Sequence, residues 1–175
     1  MKLYQTVFLS IFCLIFSVSN ALANDSMKAS SLKKFDLSLS VELENGKSDL
    51  LSSLVKKLPK DKPILIYLWA SWCPDCLVEA PFLDAYLKEK NFPVTMLYFS
   101  VDEKRGSWLK KKKDTQHGEL SVRFSKGWKD QEFRKSIQLD WIPRYILINQ
   151  KGEVLHPYAI KIEDSKLRKI INEYK

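Results

Sequence analysis

Phe35, Leu37, Leu39, Val41 and Leu43 alternate with mostly polar residues. A period of two puts all five on one side of an extended chain, so the spacing predicts a half-buried strand over 35–43. Asn45-Gly46 then predicts a turn. Residues 49–58 switch to helical spacing, with Asp49 placed to cap the helix and Pro59 and Pro63 bracketing its exit. The run ILIYLWA, 64–70, is apolar throughout, the pattern of a central strand covered on both faces. From Pro74 to about Lys90 the period is helical again, with Leu77, Phe82, Leu83, Ala85 and Tyr86 as the inner face. A second buried strand follows at 94–101 and a helix at 103–113, with Trp108 and Leu109 inward. Residues 114–128 read as a loop holding a short strand, LSVRF. A helix at 130–139, a strand at 144–150, a turn at Lys151-Gly152 into EVLHPYAI and a helix at 163–174 complete the order. Such alternation predicts an α/β domain with helices on both faces of one sheet.

The N-terminus follows a different rule. Lys2 supplies a positive charge, VFLSIFCLIFSV (7–18) is uncharged and apolar, and Ala21 and Ala23 offer the small residues a signal peptidase reads. This is the pattern of a signal peptide over 1–23, cleaved after about Ala23. The competing reading is a retained anchor, but the run is short of the ~20 residues that span a bilayer. Cys13 follows Phe12 rather than small residues, so it is not a lipidation site. Residues 24–34 are polar and read as a flexible arm, which leaves 35–175 as one domain.

Composition adds little to the fold. The chain has 175 residues, 45% of them hydrophobic and 12% aromatic, enough for an ordinary core rather than a disordered chain. The formal charge of +8 gathers in Lys110–Lys113 and around Lys56, Lys57, Lys60 and Lys62. It reads first as a solvated basic face, then as a contact for an acidic protein or an anionic membrane. No nucleic-acid motif accompanies it.

Once 1–23 are set aside, Cys73 and Cys76 remain, spaced two apart in WASWCPDC. An exported compartment permits disulfides. A staple works best on a long loop, and this pair closes almost none, so its spacing suits exchange rather than stabilisation. The pair lies where a buried strand meets a helix, with Pro74 at the favoured first helical position. The helix N-terminus stabilises a thiolate. Cys73 is therefore expected to be the exposed, acidified nucleophile, and Cys76, nearly one turn in, the resolving thiol. Asp75 opposes that acidification and points toward a reductant.

WASWCPDC followed by WIPRYILINQKGEV resembles the thioredoxin superfamily, most closely its exported TlpA/ResA/DsbE-like branch. Trp69 and Trp72 before the motif, Glu79-Ala80-Pro81 after it and Ile142-Pro143 before a strand carry the likeness over 35–175. The resemblance implies a thioredoxin-like fold, a central mixed sheet flanked by helices with an N-terminal β-hairpin extension. It implies that Pro143 is cis and that the Ile142 backbone pairs with an extended substrate, with Trp72 and Pro74 beside it. It implies that Glu79 takes up the proton of the resolving thiol. Where thioredoxin carries a buried aspartate, this chain has Tyr67. The implied protein is a monomeric periplasmic thiol–disulfide oxidoreductase with no cofactor, a reductase of disulfides in exported proteins such as apocytochrome c. A membrane thiol donor of the DsbD/CcdA kind would recharge it. An oxidant of DsbA type and a copper-handling module using Cys73, Cys76 and one histidine stay open. His117 and His156 read as surface or loop residues, and Trp128 and Trp141 as packing, with Trp141 close enough to Ile142-Pro143 to line a substrate groove.

Overall fold

A computed structural model of the chain describes residues 31–88, 92–115, 117–118 and 120–175. The expected signal peptide, and the arm up to residue 30, lie outside the described residues. Leu32–Lys175 form one contact unit. Within it no described helix is long and apolar enough to cross a membrane.

The alternating stretch at 35–43 buries Phe35 and Val41 and half-buries Leu37, Leu39 and Leu43, as its period requires. Only β1 (Ser40–Glu42) is regular strand, paired antiparallel with β2 (Ser48–Leu50) around the Asn45-Gly46 turn. Gly46 takes φ +82°, a backbone region that side chains disfavour. The sequence placed a helix from Asp49. The structure instead gives 48–50 to the hairpin, because β1 offers a free edge there. The helix α1 is only Leu51–Val55, and Asp49 is not its cap.

The continuous apolar run becomes β3 (Ile64–Trp69), every residue of it buried. It enters α2 (Pro74–Leu87) through the cysteine loop. There follow β4 (Thr95–Ser100), α3 (Arg105–Asp114), β5 (Ser121–Arg123), α4 (Gln131–Ser136), β6 (Arg144–Ile148), β7 (Val154–Ala159) and α5 (Ser165–Asn172). The sheet order is β2-β1-β5-β4-β3-β6-β7. β3 runs parallel to β4 and antiparallel to β6, so the sheet is mixed. The expected architecture is therefore present, hairpin extension included.

Two further expectations fail. Leu32–Lys34 are not loose: Leu32 is buried, Lys34 bridges to Glu153, and the Val154 N–H donates to the Lys33 carbonyl at 2.9 Å. In α2 the buried residues are Cys76, Glu79, Ala80, Leu83 and Tyr86, whereas Phe82 and Ala85 face out and Leu77 is half-buried. Leu83 and Tyr86 are buried as the pattern predicts, but Phe82 and Ala85 are not. The true face turns the second cysteine and a carboxylate inward.

Candidate active site

Trp69 ends β3, and its carbonyl accepts from the Val101 N–H at 2.9 Å, which ties the exit of β3 to the exit of β4. The chain then reverses: the Cys73 N–H donates to the Ala70 carbonyl at 3.2 Å, closing a turn with Ser71 and Trp72 at its corners. Cys73 is the extended N-cap of α2 and Pro74 its first helical residue, where a missing N–H costs nothing. The Cys76 N–H points at the Cys73 Sγ, 3.1 Å away. The two cysteines are joined as a disulfide, with Cα atoms 5.3 Å apart.

Opposite the disulfide, the loop before β6 presents the cis Ile142–Pro143 bond, and the Ile142 carbonyl oxygen stands 3.6 Å from the Cys73 Sγ. Arg144, 1% exposed, anchors this loop. Its guanidinium pairs with Asp140 and lies 3.5 Å over the Tyr158 ring. Ile142 and Pro143 are buried, Pro74 is exposed, and Trp72 is half-exposed with its ring set edgewise on Trp128 at 6.1 Å. Trp141 is similarly exposed beside Ile142. The exposure expected of Cys73 is corrected: in the disulfide form it is 3% exposed and Cys76 1%. Being the first of the pair does not bring a sulfur into solvent when Ile142 covers it.

Behind the pair lies a buried polar group. Glu79, one turn beyond Cys76, accepts from the Tyr145 hydroxyl at 3.0 Å and from the Ile162 N–H at 2.6 Å. Burial raises its carboxyl above the ordinary range, against the pull of those two donors. Tyr145 stacks on Tyr67 at 4.9 Å, and the Tyr67 hydroxyl donates to the Cys76 carbonyl at 3.1 Å. Burial, with Glu79 next, holds the Tyr67 phenol far above its usual value.

Neither histidine is a surface residue. His117 is 6% exposed and stacks on Tyr98 at 4.6 Å, edgewise to Trp69 at 4.2 Å. Neither of its nitrogens has a partner among the described residues. Burial, then Lys112, holds it down at about 3. His156 is 8% exposed, its Nε2 lying 3.9 Å from Asp164. Aromatic neighbours far away in the chain bury His117, which its local sequence does not show. Asp102 is likewise buried by partners its local sequence does not show, Ser71 and Arg123. It stands at the end of β4, next to the carboxyl end of β3 where ligands gather in open α/β sheets, and that position is the signal that could have found it.

The model of the family described as Redoxin matches residues 23–171. The chain belongs to the Redoxin family. It is similar in structure to a protein from Bacteroides vulgatus described as a thiol-disulfide oxidoreductase, at 26% identity and a TM-score of 0.62, over 82% of this chain and 91% of that one. The thiol:disulfide interchange protein DsbE of Haemophilus influenzae is 26% identical over 56% of this chain and 51% of its own length. A thioredoxin-like protein of Synechocystis is 42% identical over 23% of this chain and 38% of its own. The chain thus spans about half or less of the curated relatives it matches. Together these likenesses place it in the TlpA/DsbE-like part of the thioredoxin superfamily, beside proteins named for thiol–disulfide exchange. A covalent Cys73–Cys76 pair at a helix N-terminus, facing a cis-proline loop, is the arrangement such chemistry needs.

Proposed function

We propose that the protein reduces disulfides of other exported proteins in the periplasm, cycling Cys73 and Cys76 between dithiol and disulfide. The observation that carries this reading is the cysteine pair at the α2 N-cap, set against the Ile142–Pro143 loop with Glu79 buried behind it. The signal-peptide pattern and the likeness to DsbE support the compartment. Asp75, exposed in the first turn of α2, supports the direction, since a carboxylate there weakens the stabilisation of a thiolate.

The reduced form begins the cycle. The Cys73 thiolate, facing the Cys76 N–H, attacks one sulfur of a client disulfide, and the client's other sulfur leaves as a thiolate and is protonated. Cys76 gives up its proton, with Glu79 as the acceptor, and attacks the Cys73 Sγ. The client's second sulfur leaves as a thiolate and takes the proton held by Glu79, and the Cys73–Cys76 disulfide remains. Two electrons have passed to the client with two protons, one from Cys76 and one from the solvent that took up the proton of Cys73. Ile142 pairs with the client as an added strand, and Trp72, Pro74 and Trp141 flank it. A membrane thiol donor of the DsbD/CcdA kind returns the electrons, and apocytochrome c is a fitting client. The copper reading has no such support: among the described residues no three His, Cys, Asp or Glu side chains gather to hold a metal ion.

The deciding experiment is the equilibrium reduction potential of Cys73–Cys76, titrated against dithiothreitol and read by alkylation. The expected value is near thioredoxin's, about −270 mV; a value near DsbA's, about −120 mV, would reverse the direction and discard the reductase. Cys73→Ser should abolish exchange with a protein disulfide, and turnover by that variant would assign the nucleophile elsewhere.

A further inference from the structure

Asp102 is 1% exposed and carries no part of the exchange chemistry. Its Oδ2 accepts from the Ser71 N–H at 2.9 Å and from the Ser100 hydroxyl at 2.8 Å, and its Oδ1 accepts from the Ser71 hydroxyl at 2.6 Å. Both donors of Ser71 therefore end on one carboxylate. Ser71 is a corner of the turn that the Cys73 N–H closes on the Ala70 carbonyl. Asp102 is itself held. Its N–H donates to the Ser100 hydroxyl at 3.0 Å, and its carbonyl accepts from Arg123 Nη1 at 3.0 Å. Arg123 also donates to the Glu103 carbonyl and pairs with Glu42 of the hairpin. An unbroken run of contacts leads from Glu42 through Arg123, Asp102 and Ser71 to the turn that delivers Cys73.

We propose that Asp102 is a positioning residue for the exchange centre: by gripping Ser71 it fixes the turn 70–73, so that the Cys73 sulfur stays over the N–H groups at the start of α2. The inference rests on the reading of Cys73 as the exchanging thiol. Two physical effects of the carboxylate have opposite signs. As a grip, it keeps Cys73 where the Cys76 N–H, 3.1 Å away, stabilises the thiolate. As a bare negative charge, it would disfavour a second anion nearby. Three hydrogen bonds absorb that charge locally, so the grip dominates.

The test is the pH profile of Cys73 alkylation by iodoacetamide in the reduced full chain, resolved by peptide mass so that Cys13 and Cys76 are read separately. Wild type is compared with Asp102→Asn, Asp102→Ala and Ser71→Ala. The grip predicts that Asp102→Ala moves the profile to higher pH, with roughly tenfold less reaction at pH 7 for each unit moved. Ser71→Ala moves it the same way, about fivefold in rate at pH 7, since one of the hydrogen bonds to the carboxylate is lost. Asp102→Asn, which still accepts from the Ser71 N–H, stays between wild type and Asp102→Ala. A shift of either Asp102 variant to lower pH would show that charge rules and would overturn the proposal. So would a Ser71→Ala profile that superposes on wild type, which decides the matter even if Asp102→Ala fails to fold. A wild-type Cys73 with the profile of an ordinary thiol, near ~8.5, would instead count against the nucleophile assignment. The shift between variants would still read the grip.

Discussion

His117 is a titratable group that the fold refuses to let titrate. Enclosed by Tyr98, Tyr67 and Trp69, it cannot hold a proton until about pH 3, whereas an unfolded chain protonates it near its ordinary 6.5. A depressed histidine contributes stability that is complete above the unfolded value and is lost as pH falls through that window. The slope is at most roughly 1.4 kcal/mol per pH unit. His117→Phe should flatten the acid limb: urea midpoints at pH 7 and pH 4.5 should converge in the variant and diverge in wild type. Parallel pH dependence in the two proteins would contradict the shielding. Glu79 works in the other direction, because its raised carboxyl loses stability for the fold as pH rises through its own range. The two residues differed in legibility. Glu79 follows the CxxC at a fixed distance and could be named from a motif. His117 and Asp102 are polar residues in loop-like stretches, and what encloses them, Tyr67, Trp69 and Tyr98 for the one and Ser71 and Arg123 for the other, comes from elsewhere in the chain.

At the scale of the element, α2 shows how chemistry displaces pattern. Its buried side holds Cys76, Glu79, Ala80, Leu83 and Tyr86, while Val78 and Phe82 are 67% and 51% exposed. A reading from hydrophobic period alone must favour Phe82, because nothing in the period says that a cysteine and a glutamate belong inside. Leu83→Ala should cost the oxidised protein about 2–5 kcal/mol, the loss from a filled core position. Phe82→Ser should stay within roughly 0.5 kcal/mol. Chemical denaturation of both variants checks the assignment, and a large loss from Phe82→Ser would restore the face predicted from sequence. The strands were far more legible than the helix. β3 is an unbroken apolar run, and β4 and β6 are apolar but for their ends, because both faces are covered, and such runs have no wrong side to choose.

At the scale of the molecule, the hairpin is tied to the rest of the sheet by polar contacts. Glu42, from the hairpin, meets Arg105 of α3 and Arg123 of β5, and Arg123 continues to the carbonyls of Asp102 and Glu103. The hairpin is thus built into the sheet at β5 and not merely appended, although the sequence announced only its turn and its alternation. The pairing partner could not be read, since β1 joins a strand more than seventy residues later. Glu42→Ala leaves the nearly buried Arg123 without its carboxylate, and removing one partner of such a pair costs about 3–5 kcal/mol. A fall in the urea midpoint of that size checks it. A change below about 1 kcal/mol would mean that the guanidinium is satisfied by the two carbonyls alone.

The coverage of Cys73 has a consequence in the geometry of attack. Displacement at a disulfide asks three sulfurs to lie nearly in line, so the incoming thiolate must arrive along the extension of the S–S bond. With Cys73 only 3% exposed and the Ile142 carbonyl at its flank, few directions of arrival remain. A thiol at the tip of a slender, pliant donor can thread that narrow cone. A thiol set in a broad rigid surface is stopped by Trp72 and Trp141 before its sulfur is aligned. Thiols that approach this disulfide are therefore sorted by shape before any difference in driving force is felt.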